Sequence, residues 1–200
     1  MAMETEEISR REQKKRETRK RLLLAAWEYF RQKGFDETTV EEITEAAQVA
    51  KGTFFNYFAS KEEVLAALAT WGLDQIRRRI DPAHGGPSSP VARLKMLLGE
   101  IGAVMAEHGA LGRRMLVAYW QRHRQLEDVD VSLWHTALRL VQEAQQAGEI
   151  RDDARADFVT KHLLATCIYD QSRENPSREE IETYIDLLLE GFAGSEWRTA

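Results

Sequence analysis

Lys51, Gly52, Thr53, Asn56 and Tyr57 fall within one short helical stretch and together offer an ammonium, two hydroxyls, an amide and an uncovered backbone. These groups hydrogen-bond to base edges and phosphates, so their chemistry is recognition of DNA rather than bond making. Gly52 costs about 1 kcal/mol relative to alanine inside a helix, which makes sense where a ligand approaches the backbone closely. No Gly-x-Ser-x-Gly elbow, phosphate-binding glycine loop or dinucleotide fingerprint occurs. The five histidines, at positions 84, 108, 123, 135 and 162, lack the close spacings of a metal site. The sequence therefore predicts no enzyme, no metal and no cofactor.

The elements that must hold this set are helices. Apolar residues recur at three and four positions rather than alternating, which predicts an all-α chain with no β-sheet. A first helix begins near Lys14, presents Leu22, Leu23, Ala26, Tyr29 and Phe30 on one side with Arg21, Glu28 and Arg31 opposite, and stops at Gly34. Thr39-Val40-Glu41-Glu42 has capping-box spacing and opens a helix through Ala47. A short turn then leads to a second helix over Lys51 to Phe58, with Val40, Ile43, Ala47, Val49, Phe54 and Phe58 available to face inward. That is helix-turn-helix spacing. Phe54 and Phe58 read as core, and Tyr57 as a phosphate contact. Ser60-Lys61-Glu62-Glu63 repeats the capping spacing and opens a longer helix towards Arg79. Asp81 to Pro90 (DPAHGGPSSP) is a loop, and helical stretches follow at 90–107, 111–126, 130–147, 154–172 and 178–193, with breaks at Gly148 and Asn175-Pro176.

The net charge of -5 over 200 residues conceals an uneven distribution. From Arg10 to Phe35 ten basic residues face three acids, a segment of +7, and an acidic body follows. A basic arm beside a helix-turn-helix is read as tracking the DNA backbone rather than as a solvated tail or a membrane-binding helix. The single cysteine, Cys167, cannot form an internal disulfide, which predicts a reducing cytoplasm. An apolar signal core and a run of roughly 18 apolar residues are both lacking, so neither export nor a membrane anchor is expected.

At Thr38-Thr39-Val40 with Ile43, then Val49-Ala50-Lys51-Gly52-Thr53, then Tyr57-Phe58 with Lys61-Glu62 and Leu65, the chain resembles the TetR-type transcriptional repressors. The likeness covers about the first third of the chain. It implies that Thr39 caps the first helix of the motif and touches a phosphate, that Lys51, Gly52, Thr53 and Asn56 lie in the major groove, and that Tyr57 and Lys61 clamp phosphates. It also implies that the basic stretch holding Arg16 and Lys20 follows the flanking backbone. Three positions depart from the family pattern. Gln48 stands where glycine is usual, at a cost of about 1 kcal/mol if φ is positive there. Ala50 replaces the usual serine, removing an N-cap hydroxyl worth about 1 kcal/mol. Phe55 replaces a common tyrosine and with it a phosphate hydrogen bond.

The expected organisation is a helix-turn-helix domain at 1–60 and an effector-binding and dimerisation domain at 61–200. Trp71, Met96, Met105, Met115, Tyr119, Trp120, Trp134, His135, Leu138, Cys167 and Tyr169 are candidates to line an apolar effector pocket, core packing being the alternative for most. A single recognition helix reads few bases, whereas two related by a twofold axis and about 34 Å apart reach successive major grooves of a near-palindromic operator, so a homodimer is expected. Its interface is assigned to the last two helices through Phe158, His162, Ile181, Tyr184, Ile185, Leu188 and Phe192. Two rival readings stay open: a constitutive or architectural DNA-binding protein without an effector, and a helical-bundle carrier or enzyme.

Overall fold

The computed structural model describes residues 2–125, 133–169 and 178–191, with side chains described except at 2–9, 123–125, 166–169, 178, 181–182 and 184. Its helices are α1 (Ala2–Lys33), α2 (Val40–Ala46), α3 (Lys51–Phe55), α4 (Lys61–Ile80), α5 (Pro90–Gln125), α6 (Leu133–Gln146), α7 (Ala156–Tyr169) and α8 (Arg178–Gly191), with a 3-10 turn at Pro82–His84. The fold is all-α, and none of the described helices is long and apolar enough to cross a membrane.

The chain forms two compact units that do not follow one cut in the sequence. The first comprises Met1–Ala69 together with Arg114–Arg122, the second Thr70–Arg113 with His123–Ala200. In the first, Leu22, Ala26 and Phe30 of α1, Ile43 of α2, Phe54 and Phe58 around α3, and Leu65 of α4 are buried together with Tyr119. The apolar stripe expected on α1 is therefore the buried one, with Tyr29 half-buried at its edge. The helix itself starts at Ala2, well before Lys14: the polar residues ahead of Lys14 are mostly good helix formers, and nothing among them interrupts the turn pattern. Gly34, at φ +90°, ends it, its N–H bonding the Phe30 carbonyl at 3.1 Å.

Helix α3 is shorter than the span Lys51 to Phe58. Asn56 and Tyr57 donate to the carbonyls three residues back, at 3.2 and 2.9 Å, so the last turn tightens and the chain leaves the helix after Phe55. Ser60 then caps α4, its hydroxyl accepting the Glu63 N–H at 3.4 Å, while Glu63 reaches back to the Ala59 N–H at 2.6 Å.

In the second unit Leu94, Leu97, Leu98, Leu133, Leu140, Val141, Val159 and Leu163 are buried, and α7 packs on α6 and α8. The separate stretches expected at 90–107 and 111–126 are the two helical segments of α5, divided at Gly109, whose φ 47° and ψ -115° are not helical. The N-terminus of α5 is held by Glu149, whose carboxylate accepts the Ser89 hydroxyl and the Val91 N–H, both at 2.8 Å. Helix α6 ends on Gly148 at φ +73°, with the Glu149 N–H returning to the Ala144 carbonyl at 2.9 Å.

Candidate nucleic-acid interface

The helix-turn-helix is built by caps at both ends of α2. At its start the Thr39 hydroxyl accepts the Glu42 N–H at 3.3 Å, and Glu42 accepts the Thr39 N–H and hydroxyl, both at 2.9 Å. The Lys33 ammonium, followed by the Thr39 N–H and hydroxyl, lowers the Glu42 carboxyl to about 2. At its end Gln48 takes φ +53°, donating to the Glu45 carbonyl at 3.0 Å while Val49 donates to Thr44 at 3.0 Å. This is a Schellman closure with glutamine in the left-handed position. Ala50 occupies the N-cap of α3 with φ -69° and ψ 150° and provides no side-chain hydrogen bond.

With Phe54 and Phe58 turned into the core, α3 exposes Lys51, Gly52, Phe55 and Asn56, while Thr53 and Tyr57 are half-buried. A β-carbon placed on Gly52 would meet nothing within 4 Å. The Lys51 ammonium is paired with Glu41 of α2, an ion pair whose two side chains are more than half exposed. That pairing holds the Glu41 carboxyl below its ordinary range. On α1, Arg16 and Lys20 are exposed and, four residues apart, share a face.

Lys61 opens α4. Its ammonium donates to the carbonyls of Phe35 at 2.9 Å, Asp36 at 3.3 Å and Thr38 at 2.6 Å, and lies 4.6 Å from the Phe35 ring centroid. Its three N–H groups are thus engaged by the loop that leads into α2, which they tie to the start of α4. Thr39 has likewise committed its hydroxyl proton to Glu42.

A family model described as bacterial regulatory proteins of the tetR family matches residues 22–68, and one for the C-terminal domain of SbtR-like transcriptional regulators matches 90–193. The chain belongs to the TetR family. Among relatives, this TetR-family chain is 36% identical over 66% of its length to the HTH-type transcriptional regulator TcmR of Streptomyces glaucescens, of which it spans about half, 51%. It is 30% identical over 70% of its length to the transcriptional regulator AcuR of Cereibacter sphaeroides, covering 68% of that protein. A solved structure of Thermus thermophilus FadR, a TetR-family repressor in complex with lauroyl-CoA, superposes with a TM-score of 0.59 at 26% identity, covering 91% of this chain and 98% of that one.

Elsewhere in this TetR-family chain the candidate effector residues divide between the two units. Met115 and Tyr119 are buried in the first unit, where Trp120 lies edge-on to Tyr119 at 5.9 Å, so these three pack with the helix-turn-helix. In the second unit Met96, Met105, Trp134, His135 and Leu138 are half-buried, and Trp71 is 54% exposed. The side chains of Cys167 and Tyr169 lie outside the described residues.

Of the candidate dimer residues, Phe158 and His162 are exposed on α7 with ring centroids 4.0 Å apart, and Leu188 is half-buried. Ile185 is buried within its own unit, so it is core rather than interface. Leu187, which was not among the expected interface residues, is an outward apolar residue of α8 at 61% exposure. The side chains of Ile181 and Tyr184, and Phe192 altogether, lie outside the described residues.

Proposed function

We propose that this chain is a homodimeric DNA-binding transcriptional repressor that a small apolar or aromatic effector releases from a near-palindromic operator. The observation that carries the reading is the outer surface of α3. Lys51, Gly52 and Asn56 are exposed on a short helix whose apolar residues Phe54 and Phe58 are buried, beside the exposed basic face of α1 holding Arg16 and Lys20. Thr53 and Tyr57 border this surface. In this reading α3 enters the major groove, and α1 follows the flanking phosphates.

Dimerisation is assigned to α7 and α8 through Phe158, His162, Leu187 and Leu188, apolar and aromatic groups on helices that can form half of a four-helix bundle. An apolar effector is supported by the repressor solved with lauroyl-CoA. Effector action requires tighter binding to the conformation whose recognition helices are wrongly spaced, since only differential affinity shifts a population. The protein acts where its DNA is, in the cytoplasm.

The test is a gel shift with DNA from upstream of the chain's own coding region, followed by titration with acyl, steroid-like and aromatic compounds. A retarded band that one compound releases supports the whole reading. A retarded band that none releases leaves a constitutive repressor, and no retardation at moderate salt overturns DNA binding.

A further inference from the structure

Phe55 is out of place for a core aromatic. Its neighbours Phe54 and Phe58 are buried, whereas Phe55 keeps 52% of its surface exposed at the end of α3. It stands three residues after Gly52 and four after Lys51, which puts it on the outward face with both. The backbone at Gly52 stays open on that same face, since a β-carbon there would meet nothing within 4 Å. The ring is also oriented, since its edge-to-face contact with Phe54 has centroids 5.4 Å apart and an interplanar angle of 80°.

The chemistry of that ring narrows what it can touch. It has no donor or acceptor, so it offers nothing to a phosphate or to the polar edges of guanine, adenine or cytosine. The apolar group that the major groove displays is the 5-methyl of thymine. Lys51 and Asn56 beside it supply the polar contacts that hold a duplex against such a surface. We propose that Phe55 is a specificity-determining residue that packs on the 5-methyl group of one thymine in each operator half-site. This rests on α3 being the DNA-reading helix, as argued above. It follows that cytosine at that position is disfavoured, because it lacks the methyl and presents an amino group to an apolar ring that cannot accept its hydrogen bond.

The test uses duplexes enriched by the full-length protein from a random pool, with each thymine replaced singly by deoxyuridine. That replacement removes one methyl and leaves every hydrogen-bonding group intact. Wild-type protein is expected to lose about fourfold in affinity at one thymine per half-site. Phe55→Ala is expected to bind the thymine duplex less tightly and to show no further loss with deoxyuridine there, while Phe55→Tyr, which keeps the ring, retains the discrimination. Because Phe55 is half exposed, its truncation leaves the core intact, and an unchanged thermal melt checks this.

Three results overturn the proposal. If enriched duplexes show no methyl dependence, or if Phe55→Ala keeps it, this inference alone fails and the DNA-binding reading stands. If the protein enriches no sequence, both fail together.

Discussion

Arg114 grips Asp36 with two parallel hydrogen bonds of 2.7 Å, joining a residue of α5 to the loop between α1 and α2 across 78 positions of sequence. The guanidinium also lies 5.2 Å from the Phe35 ring, which carries the Lys61 ammonium at 4.6 Å. Eight residues on, Arg122 donates to Glu63 at 2.9 Å, so the Arg114–Arg122 segment is tied at both ends within the first unit. The loop that sets the start of α2 is therefore fixed by α4 and by this segment. Arg114→Ala is expected to loosen the loop and to weaken binding to enriched and random DNA alike, measured by fluorescence anisotropy, without changing which base is preferred.

Acid should undo the same unit. Arg114 holds the Asp36 carboxyl below its ordinary range, and Lys33 with Thr39 holds Glu42 at about 2. A carboxyl depressed in the folded state contributes stability that is complete above its unfolded value of about 4 and is lost as pH falls through its folded value. The helical signal is thus expected to become less stable to urea from about pH 5 down to about pH 2. Asp36→Asn should give a shallower decline, and an acid limb identical to wild type would show that the ion pair contributes nothing.

Gln48→Gly should stabilise the protein by about 1 kcal/mol, because only the side chain strains the left-handed backbone there. Differential denaturation in urea reads this directly. Gly148, in the same role at the end of α6, already has the residue the geometry favours, so Gly148→Ala should destabilise by a similar amount.

How much of this was legible in the sequence follows from the reach of each interaction. Gly34, the Thr39 box and the Gly109 break are local features that spacing exposed, whereas the Gln48 strain came from the family pattern, which has glycine there. The role of Lys61 was not legible, because its carbonyl partners lie 23 to 26 residues away in a loop with no periodic signal. Nor was Arg114 with Asp36, since charge patterns give no hint of a pair 78 residues apart. Phe55 was assigned only a lost phosphate hydrogen bond, for a different reason. A run of aromatics at helical spacing reads as core, and only the orientation of α3 shows which ring is left outside.

Lys61→Ala should lower stability by about 1–3 kcal/mol, as partly buried carbonyls lose their donor. Its effect on DNA should be indirect. The slope of log affinity against log salt, which counts phosphate neutralisation, should stay at the wild-type value, whereas Lys20→Ala should flatten it by about one unit.

Glu41→Gln should release Lys51 from its partner on α2. Exposed ion pairs are weak, so the gain in DNA affinity is expected to be about two- to fivefold, on enriched and random duplexes alike. No gain would mean that Lys51 does not reach the DNA.

The central claim is that two copies of α3 read two related half-sites, and it is tested most directly by titrating the protein into the duplex enriched from a random pool while measuring stoichiometry by analytical ultracentrifugation. The account predicts two chains per duplex, inverted half-sites whose centres are about 34 Å or a multiple of that apart, and loss of binding when five base pairs are inserted between them. A single chain bound per duplex, or affinity indifferent to that half-turn insertion, would contradict it.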